Sequence, residues 1–302
     1  MSRGAYATLL VGMVAFGGTW PAGKVAADHI EPATIATARF ASAAVLLWAW
    51  ARISGRPVRR PAASDLGLVA ALGLTVVFAY NLCFLYGLRH APAADGSVLV
   101  PGLIPVVTTL LTWRVFGERP SRLAGLGLAV ALVGLAVVAN PTGSIASGRL
   151  LGDALFVGAA CSWAAYTLAG RAAIARFGSV NANVYATAAG SLMLLPLSFL
   201  GGGWTAAARA PASAWGGVAY LAVGGTVLGF VLFYEGVRLI GAARASSFAL
   251  LVPIFGVVSS VLVLGERLRP SLAVGGFIVL AGLGIAESAR SRAASLTPRL
   301  NT

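Results

Sequence analysis

Long apolar segments alternate with short charged or turn-rich segments along almost the whole chain. An α-helix needs about 20 apolar residues to cross the hydrocarbon core of a bilayer, and the apolar segments are close to this length. Bounded by charged residues, Pro and Gly, they predict ten membrane-spanning helices. These helices lie near 4–26, 33–53, 66–88, 94–114, 122–139, 151–172, 182–200, 214–236, 243–264 and 270–287. We expect the first to be a span and not a cleaved signal peptide, because no polar region follows it.

Composition supports a bilayer as the main solvent. Hydrophobic residues make up 58% of the 302 residues and charged residues only 10%, with a mean hydropathy of +0.87. A soluble domain has about a quarter charged residues. The predicted fold class is therefore an all-α integral membrane protein that crosses the membrane several times.

A net charge of +13 would suggest nucleic-acid binding in a soluble protein. Here most basic residues lie in short segments between the apolar ones, as the positive-inside rule requires of cytoplasmic loops. With the N-terminus placed in the cytoplasm, 15 of the 22 Lys and Arg residues fall on the cytoplasmic side and 7 on the other. The pattern predicts cytoplasmic N- and C-termini, and no nucleic-acid partner.

The two halves of the chain carry matching segments in the same order, which indicates an internal repeat. The pairs are FGGTWPAGK at 16–24 with WAAYTLAGR at 163–171, YGLR at 86–89 with EGVR at 235–238, and GER at 117–119 with GER at 265–267. Because equivalent helices are five spans apart, the second repeat must cross the membrane in the opposite direction. We predict two inverted five-helix repeats around a central cavity, at 1–140 and at 141–302, the second ending in a short basic cytoplasmic tail.

In these segments, and in ATARFASAAVLL around Arg39, the chain resembles the drug/metabolite transporter superfamily, specifically its ten-helix families with duplicated EamA domains. The resemblance covers nearly all of residues 1–287. It implies a basket-like bundle in which the first, third, fourth, sixth, eighth and ninth helices surround the substrate, located in the plasma membrane (the bacterial inner membrane). Within the superfamily the chain is similar to the YddG-type exporters of aromatic amino acids. The implied function is export of small metabolites, amino acids with an aromatic or apolar preference, by alternating access and without a cofactor.

Six aromatic side chains fall on helices that the resemblance places around the cavity. They are Trp20, Tyr80, Phe84, Trp163, Tyr166 and Phe248. Tyr80 and Phe84 are four residues apart and so share one helix face. The functional hypothesis is a pocket that stacks on an aromatic or apolar substrate. Packing between helices, or an aromatic belt at the membrane interface, would explain the same residues without a binding role.

Three basic residues are candidate substrate contacts. Lys24 and Arg171 occupy matching positions of the two repeats, and one of them would attract a substrate carboxylate or phosphate at the cavity mouth. The alternative is snorkelling of each side chain to the membrane interface. Arg39 lies further inside its span, and pairing with Asp28 or Glu31 is the structural alternative there.

Three prolines, Pro101, Pro105 and Pro253, interrupt the fourth and ninth spans. A proline removes an i→i−4 hydrogen bond and kinks a helix, and the freed carbonyl needs a partner or a wet cavity inside a membrane. The prolines are therefore candidate hinges for alternating access. Static kinks remain the alternative.

All nine acidic residues map to predicted helix ends or loops. A proton- or sodium-coupled carrier usually holds a carboxylate near the middle of the membrane, so the pattern favours facilitated diffusion. Glu118 and Glu266 directly precede the fifth and tenth spans. There an anion stabilises a helix N-terminus by about 0.3–1 kcal/mol, and we interpret both as caps.

Signals for an enzyme or a metal site are weak in this sequence. It contains no HExxH, GxSxG or CxxC motif, and both cysteines lie inside apolar segments. We expect no enzyme, no catalytic residue, no metal and no cofactor; a membrane-embedded enzyme is a remote alternative. The main alternative is a transporter of phosphorylated or nucleotide-sugar metabolites, which would need several convergent Lys or Arg side chains. We expect a monomer whose partners are the lipid bilayer and a small-molecule substrate.

Overall fold

The structure, a computed structural model, describes residues 3–55, 61–139 and 147–296, and the regular secondary structure in these ranges is entirely helical. Nine helices of this part are long and apolar enough to span a membrane, and a shorter apolar helix, Ala249–Leu264, belongs to a tenth span. The spans are α1 Gly4–Ala27, α2 Pro32–Ile53, α3 Ala63–His90, α4 Ala93–Phe116, α5 Arg122–Ala139, α6 Arg149–Gly178, α7 Asn181–Phe199, α8 Ala212–Ile240, α9 242–264 and α10 Pro270–Leu296. The predicted all-α, ten-helix class is confirmed.

Glycines with positive φ end several of these helices. Gly117 and Gly265, the glycines of the two GER segments, have φ values of 72° and 67° at the ends of α4 and α9. A residue without Cβ adopts this left-handed conformation easily, and a left-handed residue is a common way to end a helix. Gly178, with φ 76°, similarly separates α6 from α7. The repeated GER segment is therefore a repeated helix end.

Helix α10 is longer than its apolar segment predicted. The apolar segment ends at 287, whereas the helix continues to Leu296. As a result Glu287 lies within a helix and not at its end. Hydropathy could not give this boundary, because the last turns of α10 are polar.

Helices α3 and α8 each contain a π-helical segment at a matching position. The segments are Gly73–Ala79 in α3 and Leu221–Leu228 in α8, and their first residues have the same separation as the two GER segments. π-Helical turns occur frequently at functional sites. The second half thus repeats an irregular feature of the first half, as well as its hydropathy.

Glycines allow the two repeats to pack closely against each other. In α10, a Cβ at Gly282 would lie 2.6 Å from the carbonyl oxygen of Gly127 in α5. In α3, a Cβ at Gly87 would lie 2.6 Å from the ring of Phe156 in α6. Small residues permit such close helix contacts inside a membrane, where the hydrophobic effect does not drive helices together. The two halves therefore pack directly against each other, and the main cluster of buried apolar side chains contains residues of both.

Candidate substrate cavity

A cavity of about 430 Å³ lies between the two repeats. Small-molecule sites have volumes of about 300–1,000 Å³. Residues of α1, α3, α4, α6, α8 and α9 line it, as the resemblance implied, together with residues of α2 and α10. Its wall is therefore built by both halves of the chain.

Four of the predicted aromatic residues line this cavity and contact one another in a chain. The rings of Tyr80 and Trp163 have centroids 5.1 Å apart, and those of Tyr80 and Phe84 are stacked at 5.9 Å. Trp20 meets Phe84 edge to face at 5.0 Å. Three further aromatic residues of the lining were not singled out by the sequence, namely Phe16, Phe40 and Phe233. The wall offers flat apolar surfaces on several sides.

One end of the cavity is closed by an aromatic plug, which we define as Trp20, Phe84 and Phe156. All three side chains are buried, and Trp20 contacts Phe156 edge to face at 6.0 Å. Phe156 fits because Gly87 and Gly96 leave room for its ring, since a Cβ on either residue would lie within 2.6 Å of that ring. The opposite end is lined by Met13 and the partly exposed Arg290. The side chain of Arg290 is 45% exposed, which indicates that the cavity opens at this end, where α1 begins and α10 finishes.

Beyond the plug, buried ion pairs join the two repeats. The side chain of Asp95, at the start of α4, is fully buried and pairs with Arg149 at 3.1 Å and with Arg269. Arg149 also lies 3.7 Å from Asp153. In addition, Glu266 accepts hydrogen bonds from the backbone N–H groups of α4 at Ala93 (2.8 Å) and Ala94 (2.9 Å). We call the pairs of Asp95 with Arg149 and Arg269 the closed-end ion pairs.

Glu266 does cap a helix N-terminus, as predicted, but the helix is α4 and not α10. The carboxylate caps α4, in the first half of the chain, and among the described residues it accepts no hydrogen bond from α10. Glu118 instead lies 3.5 Å from Arg171. Local sequence suggests only the nearest N-terminus, whereas the fold places a different one beside Glu266.

Arg39 reaches the cavity wall from α2 and is 9% exposed. Its Nε donates to Oγ1 of Thr226 in α8 at 3.1 Å, and its Nη1 donates to Oδ1 of Asn81 in α3 at 3.1 Å. The guanidinium also stacks over the ring of Phe40, 4.7 Å from its centroid. Asn81 and Thr226 had not been identified from the sequence.

The carboxylates expected as alternative partners of Arg39 pair with other residues. Asp28 lies 3.1 Å from Nζ of Lys24, and Glu31 lies 3.0 Å from Nη1 of Arg89. In the part of the chain that the structure describes, no carboxylate lies within ion-pair distance of Arg39. Its buried charge thus faces only neutral groups and the cavity.

The other predicted basic residues lie outside the cavity lining. Lys24 donates to the carbonyl oxygen of Leu88 at 2.7 Å in addition to its pair with Asp28. Arg171 is exposed and stacks over Phe116 at 5.5 Å beside Glu118. Their predicted role in attracting substrate stays a prediction, and their observed contacts are those of the structural alternative.

Two of the predicted aromatic residues, Tyr166 and Phe248, do not contribute to the wall of the cavity. Tyr166 touches Trp163 edge to face at 5.9 Å and donates to Oδ1 of Asn183 at 3.3 Å. Phe248 stacks on Tyr6 with centroids 5.7 Å apart. Neither residue lines the cavity.

All three predicted hinge prolines line the cavity. Pro101 and Pro105 lie inside the continuous helix Ala93–Phe116. Pro253 instead lies in the first turn of Val252–Leu264, after the 3₁₀ segment Ala249–Leu251, where a proline costs no helical hydrogen bond. Their action as hinges stays a prediction.

Glu287 departs from the expectation that every acidic residue lies at a helix end. It lines the cavity from within α10 and lies 3.8 Å from Arg290. Glu287 nevertheless lies within one turn of Arg290, at which the candidate membrane span ends.

Comparison with known proteins decides the family. The sequence pattern of the EamA-like transporter family matches residues 3–140 and again residues 150–286. The chain belongs to the EamA-like transporter family. It therefore carries two EamA domains and is a multi-pass membrane transporter, and not an enzyme. The resemblance to the drug/metabolite transporter superfamily is confirmed.

Individual relatives match this EamA transporter over nearly their full length. A probable terminal-alkyne amino-acid exporter of Streptantibioticus cattleyicolor is 32% identical over 284 residues, which cover 94% of this chain and 93% of the relative. An uncharacterized transporter of Bacillus subtilis, YyaM, is 26% identical over 287 residues and 91% of each chain. A solved crystal structure with 20% identity superimposes with a TM-score of 0.63 over 97% of this chain and 99% of that chain. The last similarity supports the fold alone.

Proposed function

We propose that this EamA transporter exports amino acids, preferably those with aromatic or apolar side chains, by alternating access. The observation that carries the proposal is the cavity between the repeats, whose wall includes the rings of Trp20, Tyr80, Phe84 and Trp163. Aromatic walls bind flat or apolar groups through burial and edge contacts. The relative named as an amino-acid exporter supports the same substrate class.

The proposed direction of transport rests on the relative named as an exporter, and the open end of the cavity is compatible with it. The cavity opens where α1 begins and α10 finishes, and the 15-to-7 distribution of basic residues favours placing both termini in the cytoplasm. In this conformation an exporter takes up substrate from the cytoplasm. Release requires a second conformation, in which the aromatic plug and the closed-end ion pairs separate.

A phosphorylated substrate is less well supported by the cavity. Among the described residues of its lining, the only cationic side chains are Arg39 and Arg290. Lys24 and Arg171 make their ion pairs elsewhere. Glu287 lies in the same lining, so the formal charge of the lining is +1, whereas a phosphate monoester carries about −1.5 to −2 at pH 7.

Transport into proteoliposomes tests the proposal. Purified protein is reconstituted, and uptake of tryptophan, leucine, a sugar phosphate and a cationic dye is compared with and without a pH gradient. We expect uptake of tryptophan and leucine, and Trp163→Ala should reduce tryptophan uptake about tenfold, equivalent to about 1.4 kcal/mol.

Trp113→Ala is the matched control, because Trp113 is 47% exposed on the outer surface of α4 and does not line the cavity. This variant should transport tryptophan at the rate of the unmodified protein. Uptake of only the dye or only the sugar phosphate would refute the amino-acid proposal.

A further inference from the structure

The buried guanidinium of Arg39 lacks a counter-charge in the described part of the chain. Removing a charge from water costs several kcal/mol unless an opposite charge or good hydrogen bonds compensate. Arg39 has five N–H donors, of which Nε and one N–H of Nη1 meet Thr226 and Asn81, both neutral. Its Nη2 donates to no described residue. Because Arg39 lines the cavity, a ligand in the cavity is placed to supply the missing anion.

Two side chains hold this guanidinium in a fixed orientation. Nδ2 of Asn81 donates to the carbonyl oxygen of Val76 at 2.8 Å, and Oγ1 of Thr226 donates to that of Leu221 at 3.0 Å. Each acceptor lies five residues earlier, in the π-helical segment of the same helix. Since the donor of each side chain is used by its own helix, its oxygen is left to accept from Arg39.

The contacts of Arg39 join the two halves of the chain. Asn81 follows the π-helical segment of the first repeat, Thr226 lies within that of the second, and both side chains are about 1% exposed. Arg39 therefore connects α3 and α8 beside or within their equivalent π-helical segments. An anion bound to Arg39 would be held at the junction between the repeats.

We propose that Arg39 binds the carboxylate of the substrate, and that Asn81 and Thr226 are positioning residues that orient its guanidinium. The planar fork of an arginine suits a carboxylate, because it can donate two parallel hydrogen bonds. One buried cation in an apolar wall matches a singly charged anion better than a phosphate. The inference rests on the proposed export of amino acids and adds which part of the substrate is recognised.

Competition binding separates the recognised groups. Radiolabelled L-tryptophan bound to the full-length protein in nanodiscs is displaced by indole-3-propionate, which lacks the ammonium group, or by tryptamine, which lacks the carboxylate. We expect indole-3-propionate to compete and tryptamine to require a concentration about 10- to 100-fold higher, as hydrogen bonds to charged groups are worth about 1.5–3 kcal/mol.

Asn81→Asp is the decisive variant. It places a carboxylate where Oδ1 of Asn81 now lies, 3.1 Å from Nη1 of Arg39, so that an internal anion occupies the site. Tryptophan and indole-3-propionate should then bind about 10- to 100-fold more weakly, while the unfolding temperature does not fall. If the variant loses binding while its unfolding temperature stays the same, Asn81 orients Arg39 for the ligand and is not needed only for folding.

Substitutions at Thr226 test the positioning role. Thr226→Ser keeps the hydroxyl and should retain binding, whereas Thr226→Val removes both the acceptor for Arg39 and the donor to Leu221 and should weaken it. In both variants the ratio of the affinities for indole-3-propionate and tryptamine is measured. A general disturbance of the structure would lower both affinities equally and leave this ratio unchanged.

Each remaining outcome has a distinct meaning. If the unmodified protein binds tryptophan and tryptamine equally well, or if Asn81→Asp binds carboxylates normally, the carboxylate site is refuted while amino-acid export stands. If the unmodified protein binds none of the three compounds, the amino-acid proposal itself is refuted, and this site with it.

Discussion

Replacing Asp95 with Asn tests whether the closed-end ion pairs keep that end of the cavity shut. The change preserves side-chain shape and removes one negative charge, which faces Arg149 and Arg269 from a fully buried position. Asp95 belongs to the first half of the chain and both arginines to the second, so the pairs must separate when this end opens. The substitution should therefore favour the open form.

The size of the effect follows from the burial of the partners. Breaking a buried ion pair by removing one partner costs about 3–5 kcal/mol. Arg149 keeps Asp153 at 3.7 Å and the carbonyl oxygen of Val138 at 3.1 Å, and the side chain of Arg269 is 28% exposed. We therefore expect the lower value, about 3 kcal/mol, which is roughly a 150-fold shift towards the open form.

Thiol accessibility measures this shift. Ser97 is fully buried at the closed end, where its side chain faces Gly256 of α9. Ser97→Cys is made in a background with Cys83→Ala and Cys161→Ala, and a membrane-impermeant thiol reagent is added from the extracytoplasmic side, where the proposed orientation places the closed end. The cysteine should react slowly when Asp95 is present and much faster with Asp95→Asn.

Glu235→Gln serves as the control. Glu235 pairs with Arg238 within α8, where both side chains are exposed, and exposed pairs contribute about 0–1 kcal/mol. It should change neither accessibility nor thermal stability. If Asp95→Asn also leaves thiol accessibility and thermal stability unchanged, the ion pairs do not keep this end of the cavity shut, and the prediction is refuted.

Three further substitutions should lower thermal stability in detergent, each for a different reason. Gly96→Ala would place a Cβ within 2.6 Å of the rings of Phe156 and Trp20, and such overpacking costs about 1–3 kcal/mol. Gly216→Ala is the control, because a Cβ at Gly216 has open space. Gly282→Val should separate α5 from α10, because even a Cβ would lie 2.6 Å from a backbone oxygen; normal stability would contradict the close packing. Glu266→Ala removes the cap of α4 and should cost about 0.5–2 kcal/mol, measured by its unfolding temperature.

Sequence alone predicted the parts of this protein that depend on local properties. Hydropathy gave the ten spans because crossing a bilayer imposes length and apolarity on each helix separately. The repeated GER segments predicted the duplication. Residues such as Tyr80 and Phe84 could be selected because their spacing of four places them on one helix face, and both do line the cavity.

The tertiary structure decided which residues meet. Arg39 contacts Asn81 and Thr226 across 42 and 187 positions of sequence, whereas the structural alternative offered by the sequence was a nearby carboxylate, Asp28 or Glu31. Asp95 pairs with Arg269 at a separation of 174, and Glu287 lines the cavity together with residues of both halves. A buried polar group takes whichever partner the packing of helices brings to it, and helix packing is a property of both repeats together. The sequence by itself predicted the ten spans and the family, whereas the partners of Arg39, the aromatic plug and the closed-end ion pairs exist only through the contact between the two halves.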